Sequence, residues 1–220
     1  MSLWCILLAG GQGKRMGTAA CPKQFLSLAG KPIIQHSLEV FLEYQAIEGI
    51  TIVCAEEYRD LFSDHTLHYA LPGKERHHSV LSGFQQIPKS IQYICMHDAA
   101  RPFVTKEMID LCYDAAQQYG AAAVGVPVKA TIKVCDQKQF ILHQPERTAL
   151  WEMQTPQILR RDILERGIRK VEQEQLSVTD DVAYADLLGL TAKVVLGSYR
   201  NIKITTVEDL TIAQHLIDNV

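Results

Sequence analysis

The chain has 220 residues, of which 47% are hydrophobic, and its formal net charge is −3 at pH 7. A chain of this length and apolar content is expected to form a single domain, residues 1–220, around a substantial core. The slight excess of acidic residues gives no global electrostatic reason to expect nucleic acid or an anionic membrane as a partner.

The first stretch that carries chemistry is an apolar run followed by a glycine-rich, cationic loop. Residues 3–9 contain no charge and predict a buried strand of a parallel sheet. Glycines in the loop let backbone N–H groups approach an anion, and three cations follow: Lys14, Arg15 and Lys23. The loop is neither a Walker loop nor a dinucleotide fingerprint, because Met16 replaces the third glycine of the fingerprint. We expect a triphosphate site, with an ordinary strand-to-helix turn and solvated cations as the alternative.

A helix, a strand and a second helix are expected next. Residues 33–44 have the apolar spacing of an amphipathic helix, with Leu42 on its buried face, and residues 50–55 predict a strand. The second helix follows a polar turn and has Arg76 and Ser79 at its N-terminal end, where anions and polar bases can bind.

The segment 97–102, HDAARP, follows an apolar strand predicted at residues 91–96. Asp98 and Arg101 are therefore expected at the carboxyl end of a strand, where open α/β sheets bind ligands. A local ion pair within a turn is the alternative interpretation, and the two are compatible.

The next helix has signals at both ends. Thr105 is expected to cap residues 106–119, and Gly120 is expected to end them. The predicted core face of this helix consists of Met108, Leu111, Cys112, Ala115 and Tyr119. Small apolar residues at 121–128 predict another buried strand.

Residues 129–147 depart from this alternation of strands and helices. They alternate around the polar tip 136–139, which predicts a β-hairpin arm that stands away from the sheet. A two-stranded arm is marginally stable alone, so we expect it to pack on a second subunit.

Two threonines are expected to cap helices in the last third of the chain. Thr155, followed by Pro156, and Thr179 each precede apolar residues at helical spacing. A helix N-terminus also favours anions, so both hydroxyls are candidates for substrate contact.

The end of the chain predicts two strands and a helix. The strands are expected at residues 192–196 and 202–205, and the second carries Lys203. Thr206, with Asp209 three residues later, is expected to cap the terminal helix.

Cysteine and histidine positions argue against disulfide and zinc frameworks. The six cysteines include no CxxC pair, and their apolar surroundings favour reduced, mostly buried thiols in a cytosolic protein. His77 and His78 have no cysteine near them, which gives little support for metal binding by this pair. The N-terminal apolar run is too short for a signal peptide or a membrane span.

An ordered set of motifs carries a family resemblance. The motifs are AGGQGKRMG, CPKQF, ERHHSV, HDAARPF, PVKATIK, PER, QTPQ, VTDD and NIKIT. On these motifs the sequence resembles the 2-C-methyl-D-erythritol 4-phosphate cytidylyltransferases. The resemblance implies an α/β fold of Rossmann-like nucleotidyltransferase type, with a mostly parallel twisted sheet flanked by helices and a projecting β-hairpin arm. It also implies Mg²⁺ as cofactor, CTP and a polyol phosphate as substrates, and a cytoplasmic or plastid homodimer formed through the arm.

The same resemblance implies roles for individual residues. Transition-state stabilisation is implied for Arg15 and Lys23, and substrate-phosphate binding for Lys203 and the partner's Arg147. Nucleotide binding is implied for Ala9, Gly10, Gly11, Gly13, Gly73, Arg76, Ser79 and Asp98. Polyol binding is implied for Asp98, Arg101, Thr131, Thr155 and Thr179. Ligation of Mg²⁺ by Asp98 is left open, because the triphosphate can hold the ion.

Two departures from the family pattern and three alternative functions bear on this resemblance. Residues 72–74 (PGK) and Ala130 depart from the family pattern and leave the base and polyol contacts at those positions open. A pentitol-phosphate cytidylyltransferase shares the fold and mechanism, but HDAARP and PERTALWEMQTPQ favour the methylerythritol enzyme. A non-catalytic nucleotide-binding module is disfavoured by the retained cations, and a nicotinamide oxidoreductase by Met16 and the lack of an acidic ribose partner.

Overall fold

The computed structural model describes residues 2–11 and 21–218. In this part of the chain the strands are β1 (Leu3–Leu8), β2 (Ser27–Leu28), β3 (Lys31–Pro32), β4 (Ile47–Val53), β5 (His68–Ala70), β6 (Tyr93–Asp98), β7 (Ala121–Pro127), β8 (Val134–Cys135), β9 (Ile141–His143), β10 (Trp151–Arg160) and β11 (Lys193–Leu196). The helices are α1 (Ile33–Leu42), α2 (Arg76–Phe84), α3 (Lys106–Tyr119), α4 (Arg161–Glu174), α5 (Ala183–Asp186) and α6 (Val207–Asp218), with 3₁₀ turns at Lys23–Phe25, Glu56–Phe62 and Arg147–Ala149.

Seven strands form the central sheet, in the order β11, β7, β10, β6, β1, β4, β5. Strand β10 runs antiparallel to β6 and β7, and the other neighbouring pairs are parallel. The predicted mostly parallel α/β sheet is thereby confirmed. The carboxyl ends of β1 and β6 lie side by side, because Leu8 pairs with Asp98.

Strand β1 packs helices on both faces of the sheet, since alternate side chains of a strand point to opposite sides. Leu3, Cys5 and Leu7 belong to the core cluster that contains α1 and α3 residues. Trp4 and Ile6 belong to the cluster that contains α2 and α4 residues. An uncharged run buried on both faces explains why this segment is recognisable as a central strand.

Helix α3 confirms its predicted ends but not its whole predicted face. Thr105 Oγ1 accepts a hydrogen bond from the Met108 N–H, and Gly120 ends the helix at φ 89°. Leu111 and Tyr119 are exposed, so their assignment to the core was wrong, as was that of Leu42 in α1. Within α3 the buried stripe runs instead through Met108, Ile109, Cys112, Tyr113, Ala115 and Ala116.

The predicted helix start at Thr155 and Pro156 was wrong, because both residues lie within strand β10. The Thr155 hydroxyl accepts a hydrogen bond from the Asp98 N–H at 3.0 Å, which ties it to the neighbouring strand instead of to a helix. The register of β10 against β7 breaks between Met153 and Gln157, and proline, which has no N–H, is tolerated at such a break.

The helix start predicted at Thr179 was also displaced. Helix α5 begins at Ala183, whose N–H donates to Asp180 Oδ1 at 3.1 Å, while Thr179 is exposed. The predicted strand at residues 202–205 was wrong, since the segment is irregular and Ile204 donates one backbone hydrogen bond to the Ala100 carbonyl.

The predicted cap of the last helix is confirmed. The Asp209 N–H donates to Thr206 Oγ1 at 3.3 Å, and the Asp209 carboxylate accepts from the N–H groups of Thr205 and Thr206. These reciprocal bonds satisfy the free donors at the start of α6.

The arm predicted at residues 129–147 contains an antiparallel hairpin, β8 paired with β9. Gln139 at its tip has φ 68°, and Phe140, Ile141 and Leu142 are largely exposed. The hairpin is therefore confirmed, and its role in dimer formation stays a prediction. All six cysteines are free, and each helix in the described ranges is too short or too polar to span a bilayer.

Candidate functional site

A cleft of about 600 Å³ opens at the carboxyl ends of β1 and β6. Eight of the predicted site residues line it, from four separate parts of the chain: Gly10, Gly11, Lys23, Gly73, Arg76, Ser79, Asp98 and Lys203. This is the edge at which open α/β sheets bind ligands, because the strands end there and the loops diverge. Arg15 and Gly13 lie outside the described residues.

The start of the glycine loop is held in place by close packing and by Gln24. A Cβ on Gly10 would lie 2.2 Å from Pro72 Cβ, so only glycine fits at this position. Gln24 Nε2 donates to the carbonyl oxygens of Ala9 at 2.5 Å and Gly11 at 3.1 Å. The Ala9 N–H donates to the Val53 carbonyl, so both backbone groups of Ala9 shape the loop.

Gly73 and Ser79 lie together at another part of the cleft. The Gly73 N–H donates to Ser79 Oγ at 3.1 Å, and the hydroxyl contacts the Glu75 carbonyl at 3.4 Å. A Cβ on Gly73 would lie 2.1 Å from His78 Cβ, which again requires glycine. The two residues predicted to read a base are thus joined by a hydrogen bond across the helix start.

Asp98 is the centre of a network of ion pairs. Its Oδ1 lies 2.6 Å from Arg76 Nη1, and its Oδ2 lies 2.8 Å from Lys203 Nζ and 3.7 Å from Arg101 Nε. Burial opposes ionisation, but the charges of Arg76, Lys203 and Arg101 hold the pKa of Asp98 well below its usual range. The carboxylate is therefore ionised at neutral pH.

His97 and Thr155 fix the backbone around this carboxylate. His97 Nε2 lies 3.1 Å from the Arg101 carbonyl oxygen, which can only accept, so this nitrogen carries the hydrogen. In the neutral ring Nδ1 then accepts from the Thr155 hydroxyl at 3.0 Å. Burial lowers the pKa of His97 to about 4, and the imidazole is neutral at pH 7. Thr155 is 3% exposed, and its hydroxyl holds the backbone of Asp98.

Arg101 is largely used in holding neighbouring segments together. Its Nη1 donates to the Asn201 carbonyl at 2.7 Å, and its Nη2 donates to the Met153 carbonyl at 3.3 Å. A second, smaller cleft of about 240 Å³ is lined by Arg101, Asn201 and Lys203, among others. Lys203 borders both clefts, which places it where two ligands would meet.

Four predicted substrate residues line neither cleft of this chain: Thr131, Arg147, Thr155 and Thr179. Thr131 and Arg147 are exposed on the arm, where Arg147 Nη1 donates to the Lys129 carbonyl at 3.4 Å. Thr179 is exposed before α5, whereas Thr155 is buried with its hydroxyl against the Asp98 N–H. A role for the two arm residues therefore requires another subunit.

Asp98, a buried carboxylate that lines the larger cleft, does not fit direct ligation of Mg²⁺. Both oxygens of Asp98 are paired with the positive side chains of Arg76 and Lys203, which disfavours binding of a divalent cation. Glu75, which also lines this cleft and was not predicted as a site residue, forms a group with His77 and His78 whose ligand atoms lie within 4.8 Å of one another. Two imidazoles and one carboxylate suit a transition metal, whereas Mg²⁺ prefers oxygen ligands and water.

Three buried residues of the site were missed as functional residues in the sequence. Gln24 lies in the motif CPKQF and Gln157 in the motif QTPQ, but a neutral amide side chain does not by itself indicate a functional role. Asp181 was interpreted as part of a helix start, whereas its carboxylate pairs with Arg76, 105 residues away.

Sequence comparison finds similarity to one protein family. A family model described as 2-C-methyl-D-erythritol 4-phosphate cytidylyltransferase matches residues 3–219. A chloroplastic protein of this name from Oryza sativa subsp. japonica is 43% identical over 223 residues, covering 99% of this chain and 75% of the rice protein. A protein of the same name from Caldanaerobacter subterraneus subsp. tengcongensis is 39% identical, with 97% of this chain and 98% of that protein covered.

Solved structures show the same architecture. The 2-C-methyl-D-erythritol 4-phosphate cytidylyltransferase from Francisella tularensis aligns with a TM-score of 0.85 at 26% identity, covering 98% of this chain and 99% of the other. The 4-diphosphocytidyl-2C-methyl-D-erythritol synthase from Anaerococcus prevotii aligns with a TM-score of 0.89 at 24% identity, covering 99% and 96%. The predicted nucleotidyltransferase fold is confirmed by these alignments.

Proposed function

The chain belongs to the 2-C-methyl-D-erythritol 4-phosphate cytidylyltransferase family, and from this premise we propose that it transfers CMP from CTP to 2-C-methyl-D-erythritol 4-phosphate. The products are 4-diphosphocytidyl-2-C-methyl-D-erythritol and pyrophosphate, in isoprenoid precursor synthesis. The observation that carries the proposal is the convergence of Gly10, Gly11, Lys23, Gly73, Ser79 and Lys203 on one cleft.

The reaction needs cations more than it needs a base. A phosphate oxygen of the polyol substrate forms a bond to the α-phosphorus, and the bond from that phosphorus to the pyrophosphate oxygen breaks in line with it. The second pKa of a phosphate monoester is about 6, so the nucleophile is already ionised near neutral pH. Lys23 and Lys203 line the cleft and supply positive charge for the crowded phosphorus, together with Arg15 from the loop.

Different parts of the cleft are assigned to different parts of CTP. The glycine loop at Gly10 and Gly11 holds the triphosphate through backbone N–H groups. Gly73 and Ser79 recognise cytosine through backbone and hydroxyl hydrogen bonds, which reject a base with the wrong donor and acceptor pattern. Arg76 forms an ion pair with Asp98 and contributes to the wall of the cleft.

The polyol phosphate is assigned to the side of the cleft where Lys203 and Arg101 lie. Lys203 borders both cavities and therefore positions the phosphate between the polyol and the nucleotide. We assign the arm to a homodimer, in which the partner's Arg147 and the partner's Thr131 complete this side. The exposed apolar side chains of Phe140, Ile141 and Leu142 support such an interface.

We assign Mg²⁺ to the phosphates of CTP instead of to Asp98, whose oxygens are paired with cations. On this view the ion arrives with the nucleotide, and its protein contacts are few. The proposed location is the cytoplasm or a plastid.

Pyrophosphate release tests the proposed function against its nearest alternative. Initial rates are measured with CTP, Mg²⁺ and either methylerythritol phosphate or ribitol 5-phosphate. We expect turnover with methylerythritol phosphate, and ribitol 5-phosphate as the sole accepted polyol would refute the assignment. Omission of the polyol is the control for simple hydrolysis of CTP.

A further inference from the structure

Arg76 bridges two buried carboxylates that are far apart in the sequence. Its Nε and Nη2 donate to the two oxygens of Asp181 at 3.2 and 2.5 Å, and its Nη1 donates to Asp98 Oδ1 at 2.6 Å. The Asp181 side chain is 1% exposed and is not among the residues that line the cleft. Fork-shaped pairing of a guanidinium with a carboxylate fixes the plane of the guanidinium as well as its position.

The backbone of Asp181 is anchored to the central sheet. Gln157 Oε1, on β10, accepts from the N–H groups of Asp181 and Val182 at 2.7 and 2.9 Å. Gln157 is buried, and its Nε2 donates to the Gln154 carbonyl at 3.1 Å. A buried strand therefore determines where the Asp181 carboxylate lies.

Pairing with Asp181 keeps Arg76 from occupying both oxygens of Asp98. The second oxygen of Asp98 remains free to hold Lys203, at 2.8 Å. Without the Asp181 charge, the guanidinium fork can turn toward Asp98 and compete with Lys203 for that oxygen. A shift of about 1 Å in a group that contacts the substrate can lower the rate by about 10²-fold.

We propose that Asp181 is a positioning residue for cytidylyl transfer, which holds Arg76 so that Asp98 stays paired with Lys203 in the cleft. The inference rests on the proposed function, because it assigns Lys203 to the substrate phosphate. Asp181 does not touch the substrate, and its effect passes through Arg76 and Asp98.

The test substitutes Asp181→Asn, which keeps the size of the side chain and removes its charge. We expect kcat to fall at least about tenfold. This is less than the loss for a displaced substrate contact, because Asp181 acts on Lys203 only through Arg76 and Asp98. Asp180→Asn is the matched control, because the Asp180 carboxylate accepts a hydrogen bond from the Ala183 N–H, whereas Asp181 pairs with Arg76. For this control kcat should stay within about twofold of wild type.

A double-mutant cycle separates positioning from a general structural role. In an Arg76→Met background, Asp181→Asn should cost less than about twofold in addition, because residues that act as a unit are non-additive. A wild-type kcat for Asp181→Asn overturns the inference, and so does an equal loss in both backgrounds.

A second variant covers the case in which Asp181→Asn does not fold. Arg76→Lys keeps the charge, but one ammonium cannot span both carboxylates in the forked geometry. A loss of about tenfold in kcat in a folded Arg76→Lys protein supports the inference, because Lys203 would again be displaced. A wild-type rate in this variant overturns it. An inactive wild-type protein refutes the proposed function, whereas an active wild type with an unchanged Asp181→Asn variant refutes this inference alone.

Discussion

Acidification should weaken the fold through His97, a buried and neutral residue. Its ring joins the Arg101 carbonyl to the Thr155 hydroxyl, and burial lowers its pKa to about 4. The unfolded chain has a histidine pKa of about 6.5, so between pH 6.5 and pH 4 the unfolded state binds more protons. The stabilising contribution is therefore complete above pH 6.5 and is lost as the pH falls toward 4, at up to about 1.4 kcal/mol per pH unit and about 3 kcal/mol in total.

Urea unfolding at several pH values between 7 and 4.5 measures this contribution. Wild type is compared with His97→Gln, in which the side chain at position 97 does not titrate in this range. The second comparison is His143→Gln, a matched change at an exposed position on the arm. We expect the free energy of unfolding to fall more steeply with decreasing pH in wild type and His143→Gln than in His97→Gln. Parallel curves for wild type and His97→Gln would contradict the role given to burial.

Three further outcomes are expected. Gly10→Ala should destabilise the protein by about 1 to 3 kcal/mol in thermal unfolding, because the added Cβ meets Pro72 at 2.2 Å; Gly11→Ala, where nothing lies within 4 Å, is the matched control. Lys23→Ala should keep the fold and measurable CTP binding by calorimetry but lower kcat about 10²- to 10³-fold, and an unchanged rate would refute its role. Mixing inactive Arg15→Ala and Arg147→Ala proteins should restore activity through hybrid dimers, and inactive mixed dimers would exclude action of Arg147 across subunits.

Features with local sequence signals could be predicted from the sequence. Strand β1 was recognisable from an uncharged run, α3 from Thr105 and Gly120 at its ends, and the hairpin from its polar tip. In each case the sequence signals lie within a few residues of one another. The ordered motifs also predicted most of the residues that line the cleft. The motifs at the ends of neighbouring strands meet at one edge of the sheet.

Features that depend on contacts distant in sequence could not be predicted. Thr155 before Pro156 has the local pattern of a helix start, but its hydroxyl is bound by the backbone of β6, 57 residues away. Asp181 has the pattern of a helix start too, and only the folded chain brings it to Arg76. Lys203 was placed on a strand, yet it reaches the cleft from an irregular segment that Asp98 holds by an ion pair.

Pyrophosphate release from CTP with methylerythritol phosphate is the most direct measurement of the proposed function. With wild-type protein and Mg²⁺, we expect release that depends on this polyol phosphate and falls sharply in Lys203→Ala, since Lys203 borders both cavities. No release with methylerythritol phosphate, under conditions in which the protein is folded and binds CTP, would contradict the proposed function.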